Sequence, residues 1–142
     1  MRDPTVLQAK RYGVFTCQCD TPLCTVVGMM AEEDISALVI VDQQGYLEGI
    51  ITRMDILRAK DRSNDWARET AGNWMSPKVV TVSANDRLSK VARLLLEHQI
   101  HRVVAVQEAD GKKRPVAVIS AADLVYHLAK EPNPDPIEAG KL

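Results

Sequence analysis

Aromatic residues are scarce in this 142-residue chain, at 4%, with two Trp, three Tyr and one Phe. A core must therefore come from Val, Ile, Leu, Ala and Met, a composition that suits sheets with packed helices. No apolar run approaches the roughly 18 residues that a membrane span needs, and no apolar segment follows the charged start Met1-Arg2-Asp3-Pro4. A cytoplasmic protein without membrane association is expected. Excess charge of one sign is also missing, since 18 Lys and Arg against 19 Asp and Glu leave a net charge of −1. That balance excludes the broad basic face by which proteins hold nucleic acid. Cysteine occurs only as Cys17, Cys19 and Cys24, an odd, clustered set that is no disulfide framework and reads as small packing residues. Enzyme signatures are absent too: there is no P-loop, no G-x-G-x-x-G, no H-E-x-x-H and no G-x-S-x-G. No catalytic residue is expected.

What the chain does have is an internal repeat within an ordinary globular composition, 46% apolar and 26% charged. A shift of 65 residues lays Thr16 on Thr81, Asp20 on Asn85, Leu23 on Leu88, Val26 on Val91 and Leu38 to Val41 on Val103 to Val106. Beyond the last of these the shift becomes 68, so that Thr52 meets Ser120 and Asp55 meets Asp123. The three extra residues fall where turn formers cluster, at Gln43-Gln44-Gly45 and at Ala109 to Arg114, and a loop absorbs such a difference at low cost. Each copy reads strand, helix, strand, strand, helix. The strands are expected at Val14 to Cys17, Ala37 to Val41 and Leu47 to Thr52, then at Val79 to Val82, Arg102 to Val106 and Val116 to Ser120. Helix starts are marked by Asp20-Thr21-Pro22, with Pro at the first helical position, and by Ser83-Ala84-Asn85-Asp86. Leu88, Val91, Ala92, Leu95 and Leu96 recur at helical spacing. This gives a mixed α/β (α+β) chain of two β-α-β-β-α repeats at 8–60 and 73–130, a helical linker at 61–72 ending near Gly72, and an extended Pro-rich tail at 131–142.

The sharpest local signal is Gly49-Ile50-Ile51-Thr52-Arg53-Met54-Asp55, echoed by Ala117-Val118-Ile119-Ser120-Ala121-Ala122-Asp123. One reading is purely structural: a hydroxyl caps the helix and an acid in its first turn meets the positive end of the dipole. The other is functional. Free amides at a helix start, with a hydroxyl beside them, suit a phosphate, and a carboxylate one turn on can accept both hydroxyls of a ribose. The thiols of copy one and His98-x-x-His101 of copy two lie in different repeats, so no metal site is expected. Lys112-Lys113-Arg114 reads as a solvated hairpin tip.

The duplicated unit, both motif endings, Met75-Ser76-Pro77 and the strand Ile100-His101-Arg102-Val103-Val104-Ala105-Val106 together resemble a tandem pair of CBS domains, a Bateman module, over residues 8 to 130. The resemblance implies repeats packed through their sheets about a pseudo-twofold axis, with two clefts for adenosine-containing ligands such as AMP, ADP or ATP, and S-adenosylmethionine as an alternative. It assigns Ser120 to phosphate and Asp123 to ribose, adds His101 and Arg102 as a basic pair on the phosphates, and sets Thr81 and Val82 beside the base. In copy one it points to Thr52, Asp55, Arg53 and Thr16, although Ser36 and Ala37 stand where copy two has His101 and Arg102. Ala117 replaces the motif glycine. It further implies a homodimer and a non-catalytic regulatory role with no required cofactor. The competing expectation is an assembly module with empty clefts that docks a partner enzyme or transporter.

Overall fold

A computed structural model describes residues 3–10 and 13–130. Its elements are α1 (Val6–Ala9), β1 (Thr16–Cys17), α2 (Leu23–Glu33), β2 (Ala37–Val41), β3 (Leu47–Thr52), α3 (Arg53–Arg62), α4 (Ala71–Trp74), β4 (Thr81–Ser83), α5 (Leu88–His98), β5 (Arg102–Ala109), β6 (Lys112–Ser120) and α6 (Ala121–Ala129). The expected tail at 131–142 lies outside the described residues.

The continuous apolar runs in the middle strands are explained by what covers their two faces. Successive side chains on a strand point to opposite sides, so a run without polar alternation must be buried on both. Leu38 and Ile40 turn toward the helices of their own repeat and join Leu23, Val26 and Ile51 in its core. Val39 and Val41 turn the other way and meet Val104 and Val106 of the second repeat. Val103 and Ala105 complete the pattern in the core of repeat two. The two sheets, ordered β1-β2-β3 and β4-β5-β6, therefore stack on a shared valine layer. Their registers correspond: Thr16 faces Val39 as Thr81 faces Val104, and Ala37 faces Thr52 as Arg102 faces Ser120. The expected pair of β-α-β-β-α repeats is what the chain forms.

The repeats also exchange short helices. Thr5 caps α1 and Thr70 precedes α4, again 65 residues apart, yet α1 packs on repeat two and α4 on repeat one. Matching backbone bonds hold them. Leu88 N donates to Pro4 O as Leu23 N does to Glu69 O, and Val6 N donates to Asp86 O as Ala71 N does to Thr21 O. Val6 is fully buried there, worth about 1.5–3 kcal/mol for a side chain of this kind.

Three local expectations change. Pro22 has extended backbone and is the N-cap of α2, so the helix begins one residue later at Leu23, whose amide donates to Glu69 O. The linker is not one helix: α3 runs to Arg62, a 3-10 turn covers Trp66–Arg68, and α4 docks back on repeat one. Gly72 sits inside α4 because a Cβ there would come within 2.9 Å of Cys19 Cβ. The three extra residues of copy two lengthen paired strands rather than a loop. Gln107, Glu108 and Ala109 pair with Arg114, Lys113 and Lys112, closed by Asp110-Gly111 at positive φ, the preferred two-residue hairpin turn.

Candidate functional site

Both motif junctions form capping boxes. In repeat two, Asp123 N donates to Ser120 Oγ at 3.2 Å, while Ser120 N and Ser120 Oγ donate to Asp123 Oδ2 at 2.8 and 3.1 Å. In repeat one, Thr52 N and Thr52 Oγ1 donate to Asp55 Oδ2 at 2.8 and 3.2 Å. The structural and the functional readings of the motif thus share one geometry, and the surroundings decide between them.

Ser120 and Asp123 open on a cleft of about 350 Å³, within the range of small-molecule sites. Its other wall comes from repeat one: Val14 and Phe15 before β2's neighbour β1, and Ser36 and Ala37 at the start of β2. Arg102 stands between the walls and donates from Nη2 to Ser36 Oγ at 3.3 Å. Burial lowers the Arg102 pKa first, and Arg53 lowers it further, against the opposing pull of Asp55. Arg102 therefore feels the first motif while lining the cleft of the second. It stays a cation, since a guanidinium keeps its proton in proteins.

Lys10, which no sequence motif marked, is a further cation lining this cleft. Its ammonium lies 3.0 Å from Asp123 Oδ2 and also donates to the carbonyl of Val118. Burial works to raise the Asp123 pKa, but bonds from the Ser120 amide, Lys10 and the Ser120 hydroxyl outweigh it and hold the carboxyl below its usual value. A fixed, ionised carboxylate beside a hydroxyl and two cations can accept sugar hydroxyls and flank an anion.

The structure brings some of the sequence-selected residues together and separates others. Ser120, Asp123 and Arg102 are brought together. Thr81 and Val82 are not with them: they line a separate groove of about 740 Å³ with Asn85, Asp86 and Lys90. The sheet order explains this, because β5 separates β4 from β6, whereas stacking of the sheets carries the strand entry of repeat one to Ser120. His101 is exposed and is not among the residues lining the cleft; its carbonyl accepts from Ala121 N at the start of α6. By the same correspondence Ser36 and Ala37, read from sequence as a weakness of the first site, wall the second one. Thr16 pairs with Val39 in β1, and Arg53 is exposed, 3.8 Å from Asp34. Asp55 gives its second oxygen to Arg58 Nη1 at 3.0 Å. Gly49 is required by packing, because a Cβ would come within 2.5 Å of Met75 Sδ and 2.8 Å of Ser76 O. Cys19 donates to Glu48 Oε2 at 2.7 Å, which with burial pushes its pKa up to about 11, so that thiol keeps its proton.

The family model for the CBS domain matches this chain twice, over residues 9–62 and 71–130. The chain belongs to the CBS domain family. Among curated CBS relatives, hypoxic response protein 1 of Mycobacterium tuberculosis is 31% identical over 100 residues, covering 70% of this chain and 67% of that protein. The chain spans only 26% of the length of an uncharacterized Methanocaldococcus jannaschii relative of 29% identity. Solved structures share the CBS-pair fold. The CBS domain pair of MJ0100, in complex with 5′-methylthioadenosine and S-adenosyl-L-methionine, superposes with a TM-score of 0.80 at 22% identity, covering 90% of this chain and 98% of that one. CBSX2 in complex with AMP gives a TM-score of 0.78 at 19% identity, covering 91% and 99%. Among the described residues no helix of this CBS pair is long and apolar enough to cross a membrane.

Proposed function

We propose that this CBS pair is a non-catalytic regulatory module that binds an adenosine-containing nucleotide in the Ser120–Asp123 cleft. The observation that carries the reading is the convergence of both repeats on one cavity, with Ser120, Asp123 and Arg102 from one and Val14, Phe15 and Ser36 from the other. Asp123 takes the ribose hydroxyls, Ser120 and Arg102 take a phosphate, and the half-exposed Phe15 ring offers a face to the base. A ligand touching both walls favours the packing that brings them together, which is how binding would alter shape. Adenosine ligands in the neighbouring structures of CBSX2 and MJ0100 support the ligand class.

The test is calorimetric titration with AMP, ADP, ATP and S-adenosylmethionine. Binding that Asp123→Ala abolishes and Asp55→Ala leaves intact is expected; no heat with any ligand would end the proposal, and the reverse pattern would move the site to repeat one. Met54 and Leu57 on α3, Leu96 on α5 and Val125 and Leu128 on α6 are exposed apolar side chains open to a second copy, and sedimentation velocity should show a dimer. A second reading, an assembly module with empty clefts, draws on one feature: Asp123 is already satisfied by Ser120 and Lys10 without a ligand. Unchanged melting temperatures with every nucleotide would favour it.

A further inference from the structure

The two motif aspartates differ in the cation that meets them. Asp55 is met by Arg58, from one turn further along its own helix. Asp123 is met by Lys10, which arrives from the segment after α1, the helix exchanged onto repeat two. The 65-residue relation that matches Thr5 with Thr70 matches Lys10 with Met75, and Met75 packs its sulfur over Gly49. Repeat one therefore has a thioether where repeat two has an ammonium.

The position of that ammonium bears on ligand charge. Lys10 Nζ and Ser120 Oγ both donate to Asp123 Oδ2, at 3.0 and 3.1 Å, so one carboxylate oxygen joins the ammonium to the hydroxyl at the edge of the cleft. Lys10 and Asp123 also line a smaller cavity of about 190 Å³ with Ile119, Tyr126 and His127, so their ion pair is a shared wall of two cavities. Among the described residues, four charged side chains line the main cleft: Lys10, Arg102, Asp34 and Asp123. Asp34 is fully exposed and turned toward Arg53, which leaves its field screened by water. Lys10 offsets the charge of Asp123, and Arg102 adds a positive charge to the described wall. Without Lys10 the carboxylate would face whatever group lies at the Ser120 hydroxyl, repelling a phosphate and attracting a cation.

We propose that Lys10 sets the charge class of the ligand, selecting adenosine bearing an anionic 5′-phosphate over adenosine bearing a cationic 5′-sulfonium. This rests on the adenosine reading of the cleft, and it separates a role in recognition from one in holding the carboxylate. If Lys10 only positioned Asp123, its loss would weaken adenosine and AMP alike, since the ribose is common to both.

The experiment titrates AMP, adenosine and S-adenosylmethionine against the full chain, Lys10→Met and Lys10→Arg, with melting temperatures to verify folding. In the wild-type protein AMP should bind more tightly than S-adenosylmethionine. Lys10→Met should lose about tenfold for AMP, as for one charge-assisted hydrogen bond, and keep adenosine within about threefold, while Lys10→Arg restores AMP. Equal losses for AMP and adenosine, a gain for AMP in Lys10→Met, or tighter wild-type binding of S-adenosylmethionine than of AMP would each overturn the role of Lys10 while leaving the cleft itself in place. If the wild-type chain binds none of the three, the cleft reading falls and the selection with it.

Discussion

Truncating Val6 to alanine probes the exchange of short helices between repeats, because this residue near the start of the chain is built into the far repeat. Val6 is 0% exposed and packs in the cluster of Leu88, Val91 and Ile119, whereas its neighbour Leu7 is 47% exposed. The substitution removes two carbon groups, about 1.6 kcal/mol at roughly 0.8 kcal/mol per buried carbon. A cavity term follows wherever the walls fail to collapse, and the total becomes about 2–3 kcal/mol. For a chain of this size that lowers the Tm by about 6–12 °C. Leu7→Ala, the control at the adjacent exposed position, should cost less than about 1 kcal/mol. Both are measured by thermal and urea unfolding followed by circular dichroism. A Val6→Ala protein that melts no lower than Leu7→Ala would refute the docking of α1 on repeat two.

Three further outcomes follow from particular contacts. The Asp123 carboxyl is held below its unfolded value of about 3.9, so it contributes stability above that pH and loses it as pH falls through the folded value. The Tm of Asp123→Asn should therefore fall less steeply than that of the wild type below about pH 4, and parallel slopes would contradict the bonding described. Gly49→Ala places a Cβ within 2.8 Å of the Ser76 carbonyl, and unfolding experiments should show a loss of about 1–3 kcal/mol; a neutral effect would mean that the β3–linker contact is loose. At pH 8 a thiol reagent should modify exposed Cys24 ahead of Cys19, whose proton is held by Glu48, and Glu48→Gln should speed the reaction of Cys19. Peptide mapping of the alkylated protein reads the order, and faster modification of Cys19 in the wild type would contradict the Cys19–Glu48 bond.

The duplication was legible because its strands repeat in kind: Leu38 to Val41 and Val103 to Val106 are apolar without alternation, which already requires cover on both faces. The motif pairs Thr52 with Asp55 and Ser120 with Asp123 were legible for the same reason, since a capping box is a local pattern. The rest of the cleft's lining was not. Thr81 and Val82 belong to the repeat that carries Ser120, but β5 stands between them and β6, and sheet stacking brings Val14 and Phe15 of the other repeat to the cleft instead. His101 was paired with Arg102 by the resemblance, yet it precedes β5 as an exposed bend residue, and of the two Arg102 lines the cleft. Lys10 left no trace, because the segments Thr5 to Lys10 and Thr70 to Met75 share a single identical residue, their leading threonine. Exchange of helices is a property of three-dimensional packing that a four-residue helix has too little sequence to declare.

The measurement that bears most directly on the central claim is a crystal structure of the full chain grown with AMP. The ligand should lie between the repeats, its ribose hydroxyls on Asp123, its phosphate between Ser120 and Arg102, and its base against Phe15. AMP bound instead at Thr52 and Asp55, or in the groove of Thr81 and Val82, or clefts left empty at saturating ligand, would contradict the account.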